Sequence, residues 1–208
     1  MGATTRHNVQ LHGAADGPPM VFAHGFGCDQ NMWRHVWPSF ADHHRIVLFD
    51  HVGHGGSDRT AFDPERYATL DGYVGGFSRA DIDGLLDSLE SNYLGWSSAM
   101  APVIMGNEDR PQLGAELTET FCTTDPAIAA HFARVTFLSD NRADLARVPT
   151  RSLVLQCSAD VIAPDGVGAY VHAHLPDSEL VLMAATGHCP NLSAPEETVA
   201  AIRAFLDA

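Results

Sequence analysis

The fold is decided by Met20-Val21-Phe22-Ala23-His24-Gly25-Phe26-Gly27, an apolar run that leads directly into a glycine-rich loop. Three further short apolar runs, at residues 46–49, 153–156 and 180–183, are each followed by a loop rich in Gly, Asp or His. Runs of this length and composition are typical of strands buried on both faces of a parallel sheet. The sequence therefore predicts an α/β fold with a mostly parallel sheet.

Helical patterns separate these predicted strands. Asp29 can cap a helix whose Met32, Val36 and Phe40 fall on one face, and residues 164–175 carry a second such pattern. A final helix is expected after Ser193-Ala194-Pro195-Glu196, which has the spacing of a capping box. Because strand–helix–strand units connect parallel strands, these helices should flank the sheet.

The middle of the chain has a different pattern. Residues 67–147 show helical periodicity and no convincing strand, which predicts a helical lid insert at about 77–147. The whole chain of 208 residues is 45% hydrophobic, which suits one core. We therefore expect a single domain, 1–208, that contains this insert.

The charge balance excludes several classes of function. The chain has 26 acidic residues and 12 basic ones, all of them arginine, for a net charge of -14. Such a surface repels phosphate backbones, and a chain without lysine has no lysine nucleophile. There is no apolar run long enough for a membrane span and no signal-peptide pattern at the start. We expect a cytoplasmic protein with free thiols that binds neither nucleic acid nor membrane.

Motifs at the ends of the predicted strands, and in the insert, resemble one known family. The strand-end motifs are His24-Gly25-Phe26-Gly27, Asp50-His51-Val52-Gly53-His54-Gly55-Gly56-Ser57-Asp58, Ser158-Ala159-Asp160 and Gly187-His188. The longer matches include Tyr67-Ala68-Thr69-Leu70-Asp71-Gly72-Tyr73, Asn92-Tyr93-Leu94-Gly95-Trp96 and Phe121-Cys122-Thr123-Thr124-Asp125-Pro126. Together they resemble the RsbQ-like branch of the α/β-hydrolase superfamily, to which the plant strigolactone and karrikin receptors also belong.

The resemblance implies roles for four residues. His188 would be the general base, Asp160 would orient its imidazole, and the backbone N–H of Phe26 would supply half of an oxyanion hole. His24 and Phe26 would contact the substrate. The implied activity is hydrolysis of small apolar esters or lactones, with no cofactor and no metal.

One part of the family pattern is missing from this sequence. No G-x-S-x-G motif occurs anywhere, so the serine nucleophile is absent. The strands and helices that normally surround it after Asp71-Gly72-Tyr73 are absent too, a loss of roughly 50–60 residues. The expected protein is a shortened α/β-hydrolase fold whose hydrolase activity is weak or lost.

Loss of central strands has a structural consequence. Either the strand at 20–23 pairs directly with the strand at 153–156, or a second copy of the chain fills the gap as a homodimer, since unpaired central edges are costly. Direct pairing would bring Asp160 and His188 about 10 Å closer to Phe26.

Several alternatives stay open. Ser78, in the relaxed elbow-like stretch Gly76-Phe77-Ser78-Arg79-Ala80, is either a replacement nucleophile or a helix N-cap, whereas Ser57 lies in an ordinary glycine-rich turn. Cys28 and Cys189 flank the catalytic loops but are expected to serve packing.

Three further readings concern the protein as a whole. The histidines and aspartates at the sheet edge could hold a metal ion: His24, His51, His54, His188, Asp50 and Asp160. The protein could also be a pseudoenzyme that binds a small ligand or a protein partner in stress or hormone-like signalling. A poorly folding deletion product is the third reading.

Overall fold

A computed structural model describes residues 2–62 and 78–208 of the chain. Its strands are β1 (Gln10–Gly13), β2 (Pro19–Phe22), β3 (Arg45–Leu48), β4 (Ser152–Ser158) and β5 (Ser178–Thr186). Its helices are α1 (Ala3–Arg6), α2 (Arg79–Ser91), α3 (Tyr93–Met105), α4 (Pro111–Cys122), α5 (Pro126–Leu138), α6 (Arg142–Leu145), α7 (Asp165–His174), α8 (Pro190–Ser193) and α9 (Pro195–Asp207). The motif at 67–73 and the first residue of the predicted insert lie outside the described residues.

The strands form two separate sheets within the described residues. The first has the order β1-β3-β2, with β2 and β3 parallel and β1 antiparallel to β3. The second consists of β4 and β5, which are parallel. All four strands expected from apolar runs are present. The sequence did not reveal β1, because its Gln10-Leu11-His12-Gly13 has no apolar run.

The expected direct pairing of the strands at 20–23 and 153–156 is wrong for the part of the chain that the structure describes, because β2 and β4 belong to different sheets. Helix α9 contacts both sheets. Its Val199 packs in an apolar cluster with Phe22 and Ile46, while the Glu197 carboxylate accepts hydrogen bonds from the backbone of β5 at Ala184 (2.7 Å) and Ala185 (3.1 Å). The two sheets are thus linked by this helix rather than by strand pairing.

Two local helix predictions are wrong in detail. The helix expected after Asp29 is two 3₁₀ turns, Gln30–Trp33 and Trp37–Phe40, although Asp29 does cap the first by accepting from the Asn31 N–H at 2.8 Å. Pro38 lacks the N–H that a continuous helix would need. The capping box at 193–196 does not form, because Ser193 is the last residue of α8 and Ala194 precedes α9 without a side-chain cap.

Helices α2 to α5 supply most of the larger apolar core. Leu86, Leu89, Met105 and Leu117 are almost fully buried there. Proline occupies the first turn of α4 and of α5, where its missing N–H costs no helical hydrogen bond. Among the described residues, no helix has the length and apolar character needed to cross a membrane.

Candidate active site

Asp160 and His188 meet at the carboxyl edge of the β4–β5 sheet. Asp160 follows the end of β4 at Ser158, and His188 follows the end of β5 at Thr186. Because the two strands are parallel and adjacent, their following loops lie side by side. The Nδ1 atom of His188 is 2.8 Å from Oδ2 of Asp160.

The pairing sets the tautomer of the imidazole. An ionised carboxylate only accepts hydrogen bonds, so Nδ1 of His188 donates to Asp160, and in the neutral imidazole the lone pair lies on Nε2. The Asp160 side chain is only 6% exposed, whereas that of His188 is 41% exposed. His188 therefore has the arrangement of a general base whose Nδ1 is hydrogen-bonded to a buried carboxylate.

The backbone fixes the second carboxylate oxygen. Oδ1 of Asp160 accepts from the N–H groups of Ile162 (2.8 Å) and Ala163 (3.0 Å). Burial raises the pKa of Asp160, but the hydrogen bonds from His188 and from these two backbone groups outweigh it and leave the pKa below its ordinary value. The carboxylate is consequently ionised at neutral pH.

A cavity of about 320 Å³ adjoins His188. Its walls are mostly apolar: His24, Gly25, Phe26, Cys28, Met32, Trp33, Ile104, Leu117, Phe121, Thr136, Ile162, His188, Cys189 and Asn191. This volume lies at the lower end of the range for small-molecule pockets, roughly 300–1,000 Å³. A small, mostly apolar molecule fits this lining.

Phe26 lies on the loop after β2 and lines the same cavity as His188. Its ring centroid is 6.0 to 6.2 Å from those of Trp96, Phe121 and Phe137, so the loop is anchored in an aromatic cluster. Among the described residues, the backbone N–H of Phe26 has no hydrogen-bond acceptor. The oxyanion role that the resemblance implies for this N–H would require it to be unoccupied in this way.

His24 contributes its ring to the cavity wall, but both ring nitrogens are used within the protein. Nε2 accepts from the His51 N–H at 2.9 Å, so Nδ1 is protonated and donates to the Gly25 carbonyl, also at 2.9 Å. Burial lowers the pKa of His24, which keeps the ring neutral. Contact with a substrate would therefore involve the ring face rather than a free nitrogen.

The described serines and cysteines that were considered as possible nucleophiles are either hydrogen-bonded within the protein or held as un-ionised thiols. Ser78 is the N-cap of α2 and forms a capping box with Asp81. Of the two roles left open for Ser78 by the sequence, the structure shows the helix cap. Ser57 Oγ lies 2.6 Å from the His54 carbonyl and accepts from the Gly53 N–H. Burial raises the pKa of Cys28 well above its ordinary value and that of Cys189 to about 12, so neither forms a thiolate near neutral pH.

The metal site that the histidines and aspartates could form is not seen in the described ranges. No three His, Cys, Asp or Glu side chains come together there as metal ligands. His24 and His51 lie edge to face with ring centroids 4.6 Å apart, and His54 is fully buried. Burial, reinforced by the neighbouring rings, lowers the pKa of His54 to about 4. These rings are neutral packing elements.

Sequence reasoning missed one set of contacts at the site. The turn between α3 and α4 docks on the loop that carries His188, whose N–H donates to the Ile104 carbonyl at 3.0 Å. The only signal in the sequence is Gly106-Asn107, which predicts a helix end but not what that end touches.

Comparisons with known proteins agree with this architecture. A family model described as the alpha/beta hydrolase fold matches residues 18–97, and a second, described as the alpha/beta hydrolase family, matches residues 79–202. A solved hydrolase from Oleispira antarctica is 30% identical, with a TM-score of 0.91 over 98% of this chain and 96% of that one. The chain belongs to the α/β-hydrolase family.

Two curated relatives illustrate the similarity further. The karrikin insensitive 2 receptor CA of Petunia hybrida is 28% identical over 251 residues, covering 93% of each chain. A strigolactone esterase of Pisum sativum is 28% identical over 247 residues, covering 90% of this chain and 92% of its own. Both alignments are longer than the 208 residues of this chain, so the relatives carry internal residues without a counterpart here. The fold is shortened relative to them.

Proposed function

We propose that the protein binds small apolar esters or lactones in the cavity and hydrolyses them slowly with water activated by His188. One observation carries this proposal: Nδ1 of His188 is held at 2.8 Å by a buried carboxylate while the same imidazole borders an apolar cavity. Relatives named as esterases support the same chemistry.

The reaction needs no covalent intermediate. Nε2 of His188 removes a proton from water as the water oxygen attacks the carbonyl carbon, and the Phe26 N–H stabilises the oxyanion. The carbon–oxygen bond to the leaving group then breaks, and Nε2 returns the proton to the departing alkoxide. General-base catalysis of this kind contributes about 10²- to 10⁴-fold, well below the acceleration of a complete serine triad.

The test is turnover of 4-nitrophenyl acetate by the purified protein and by His188→Ala. Exposed imidazoles hydrolyse this ester on their own, and the chain has 12 histidines. His172→Ala is therefore the matched control, since His172 lies on α7 and does not line the cavity. We expect a loss of at least about tenfold in His188→Ala and no change in the control. Equal rates in all three proteins would refute the proposal.

A second candidate function is ligand binding without turnover. The observation in its favour is that the sequence has no elbow serine, while Ser78 is committed to a helix cap. Receptors are also among the relatives. Thermal stabilisation by hydrophobic lactones, unaltered in His188→Ala and without product formation, would favour this function over hydrolysis. Labelling of a serine by a fluorophosphonate would exclude it.

A further inference from the structure

The end of helix α3 packs closely against the loop that carries His188. The His188 N–H donates to the Ile104 carbonyl at 3.0 Å. Gly187 has φ +78°, and a Cβ atom there would lie 2.0 Å from the Met105 carbonyl oxygen, so only glycine permits this approach. The helix end and the loop therefore form one tightly packed unit.

Asn107 ties the two segments together with its side chain. Its Nδ2 donates one hydrogen bond to the Met105 carbonyl at 2.9 Å and another to the Thr186 carbonyl at 3.0 Å. Thr186 is the last residue of β5, two positions before His188. Asn107 itself has φ +58°, a conformation that asparagine tolerates better than most residues.

Arg110 extends this connection to the other side of His188. Its Nη1 donates to the Ser193 carbonyl at 2.7 Å, and its Nη2 donates to Oδ1 of Asn107. Ser193 ends helix α8, so the two side chains bind the His188 loop before and after the imidazole. Both side chains are half-buried: the bonds of Arg110 to Ser193 and Asn107 and that of Asn107 to Met105 are partly buried, whereas the bond of Asn107 to Thr186 is exposed.

We propose that Asn107 and Arg110 form a latch that keeps the His188 imidazole on Asp160. Neither residue lines the cavity, so both are positioning residues rather than catalytic ones. The same hydrogen bonds link the α3–α4 turn to the segments on either side of His188. The proposal rests on the proposed function only in treating His188 as a base.

The test follows the proton on Nδ1 of His188 by NMR. A proton shared with a carboxylate gives a far-downfield resonance that exchanges slowly with water, and His188→Ala assigns it by its disappearance. Asn107→Gly removes the amide while keeping the positive φ, and Arg110→Ala removes the guanidinium. We expect this proton to exchange at least about tenfold faster in both variants, because Asn107→Gly loses three hydrogen bonds of the latch and Arg110→Ala loses two.

Two further variants separate positioning from general stability. Arg134→Ala breaks the ion pair between Arg134 and Glu90 elsewhere in the helical region, and its resonance should match the wild type even if its melting temperature falls. Arg110→Lys should exchange at a rate between those of the wild type and Arg110→Ala, since one ammonium can reach one of the two acceptors.

An unchanged resonance in folded Asn107→Gly and Arg110→Ala would overturn the latch. If both variants fail to fold, Arg110→Lys serves as the test. A wild-type exchange rate of the Nδ1 proton in Arg110→Lys would also overturn the latch. Because this measurement needs no turnover, faster exchange in the variants without any His188-dependent hydrolysis would retain the latch and refute only the proposed function.

Discussion

Replacement of Asp160 separates its structural role from its chemical one. Asp160→Ala removes the acceptor for the backbone N–H groups of Ile162 and Ala163 as well as the partner of His188. Leaving a polar group unsatisfied costs about 1–3 kcal/mol, and both N–H groups are partly buried, so we take the lower end for each. We expect the free energy of unfolding to fall by about 2 kcal/mol.

Asp160→Asn should behave differently. Its amide oxygen can still accept from both N–H groups, so the free energy of unfolding should fall by only about 1 kcal/mol, for the charge that is lost. Its NH₂ group, however, would face Nδ1 of His188 and force the proton onto Nε2, which then can no longer act as a base. We therefore expect hydrolysis by Asp160→Asn to fall to the level of His188→Ala.

Urea unfolding of the three proteins measures these differences. The lowered pKa of Asp160 means that its charge stabilises the folded state above the unfolded pKa of about 3.9, and that this stabilisation is lost as the pH falls through the folded pKa. The difference between wild type and Asp160→Asn should therefore be present at pH 7 and shrink below about pH 4. Equal stability of the Ala and Asn variants would refute the hydrogen bonding described for Oδ1.

Three other outcomes are expected. Ser78→Ala should cost about 1 kcal/mol of stability through loss of the cap and leave hydrolysis unchanged, whereas abolished hydrolysis would identify Ser78 as a nucleophile. Iodoacetamide at pH 8 should modify Cys122, which is exposed, far faster than the three buried cysteines, with mass mapping of peptides to check it. The unpaired edges of β2 and β4 among the described residues should promote self-association that grows with salt, as a net charge of -14 becomes screened, and a monomer at 1 M NaCl in sedimentation would contradict this.

The family resemblance implies the Asp160–His188 pair, and the short apolar runs before both residues place them at the ends of predicted strands. Such runs define parallel strands by composition alone, and parallel strands place their following loops at one edge. The same reasoning fails for β1, which is mostly exposed and is held by antiparallel pairing with β3 rather than by an apolar run. Pattern also cannot separate one helix from the two 3₁₀ turns around Pro38, since the apolar spacing suits both.

Tertiary contacts made by backbone groups are the least predictable part of the site. The latch binds the carbonyls of Met105, Thr186 and Ser193, and every residue has a carbonyl, so no sequence signal marks these three. The separation of the two sheets is equally hard to predict from the sequence. Which strands pair, and that α9 contacts both sheets, are properties of the assembled fold rather than of any local segment.

The central claim is that His188 activates water and that no residue forms a covalent intermediate. Intact-mass spectrometry of the protein, sampled during turnover of 4-nitrophenyl acetate, tests this claim most directly. Because the chain has no lysine, acetylation of side-chain amines cannot obscure the result. We expect product formation that depends on His188, with the protein mass unchanged throughout. A stoichiometric acetyl group on one residue, or product formation in His188→Ala at the wild-type rate, would contradict the account.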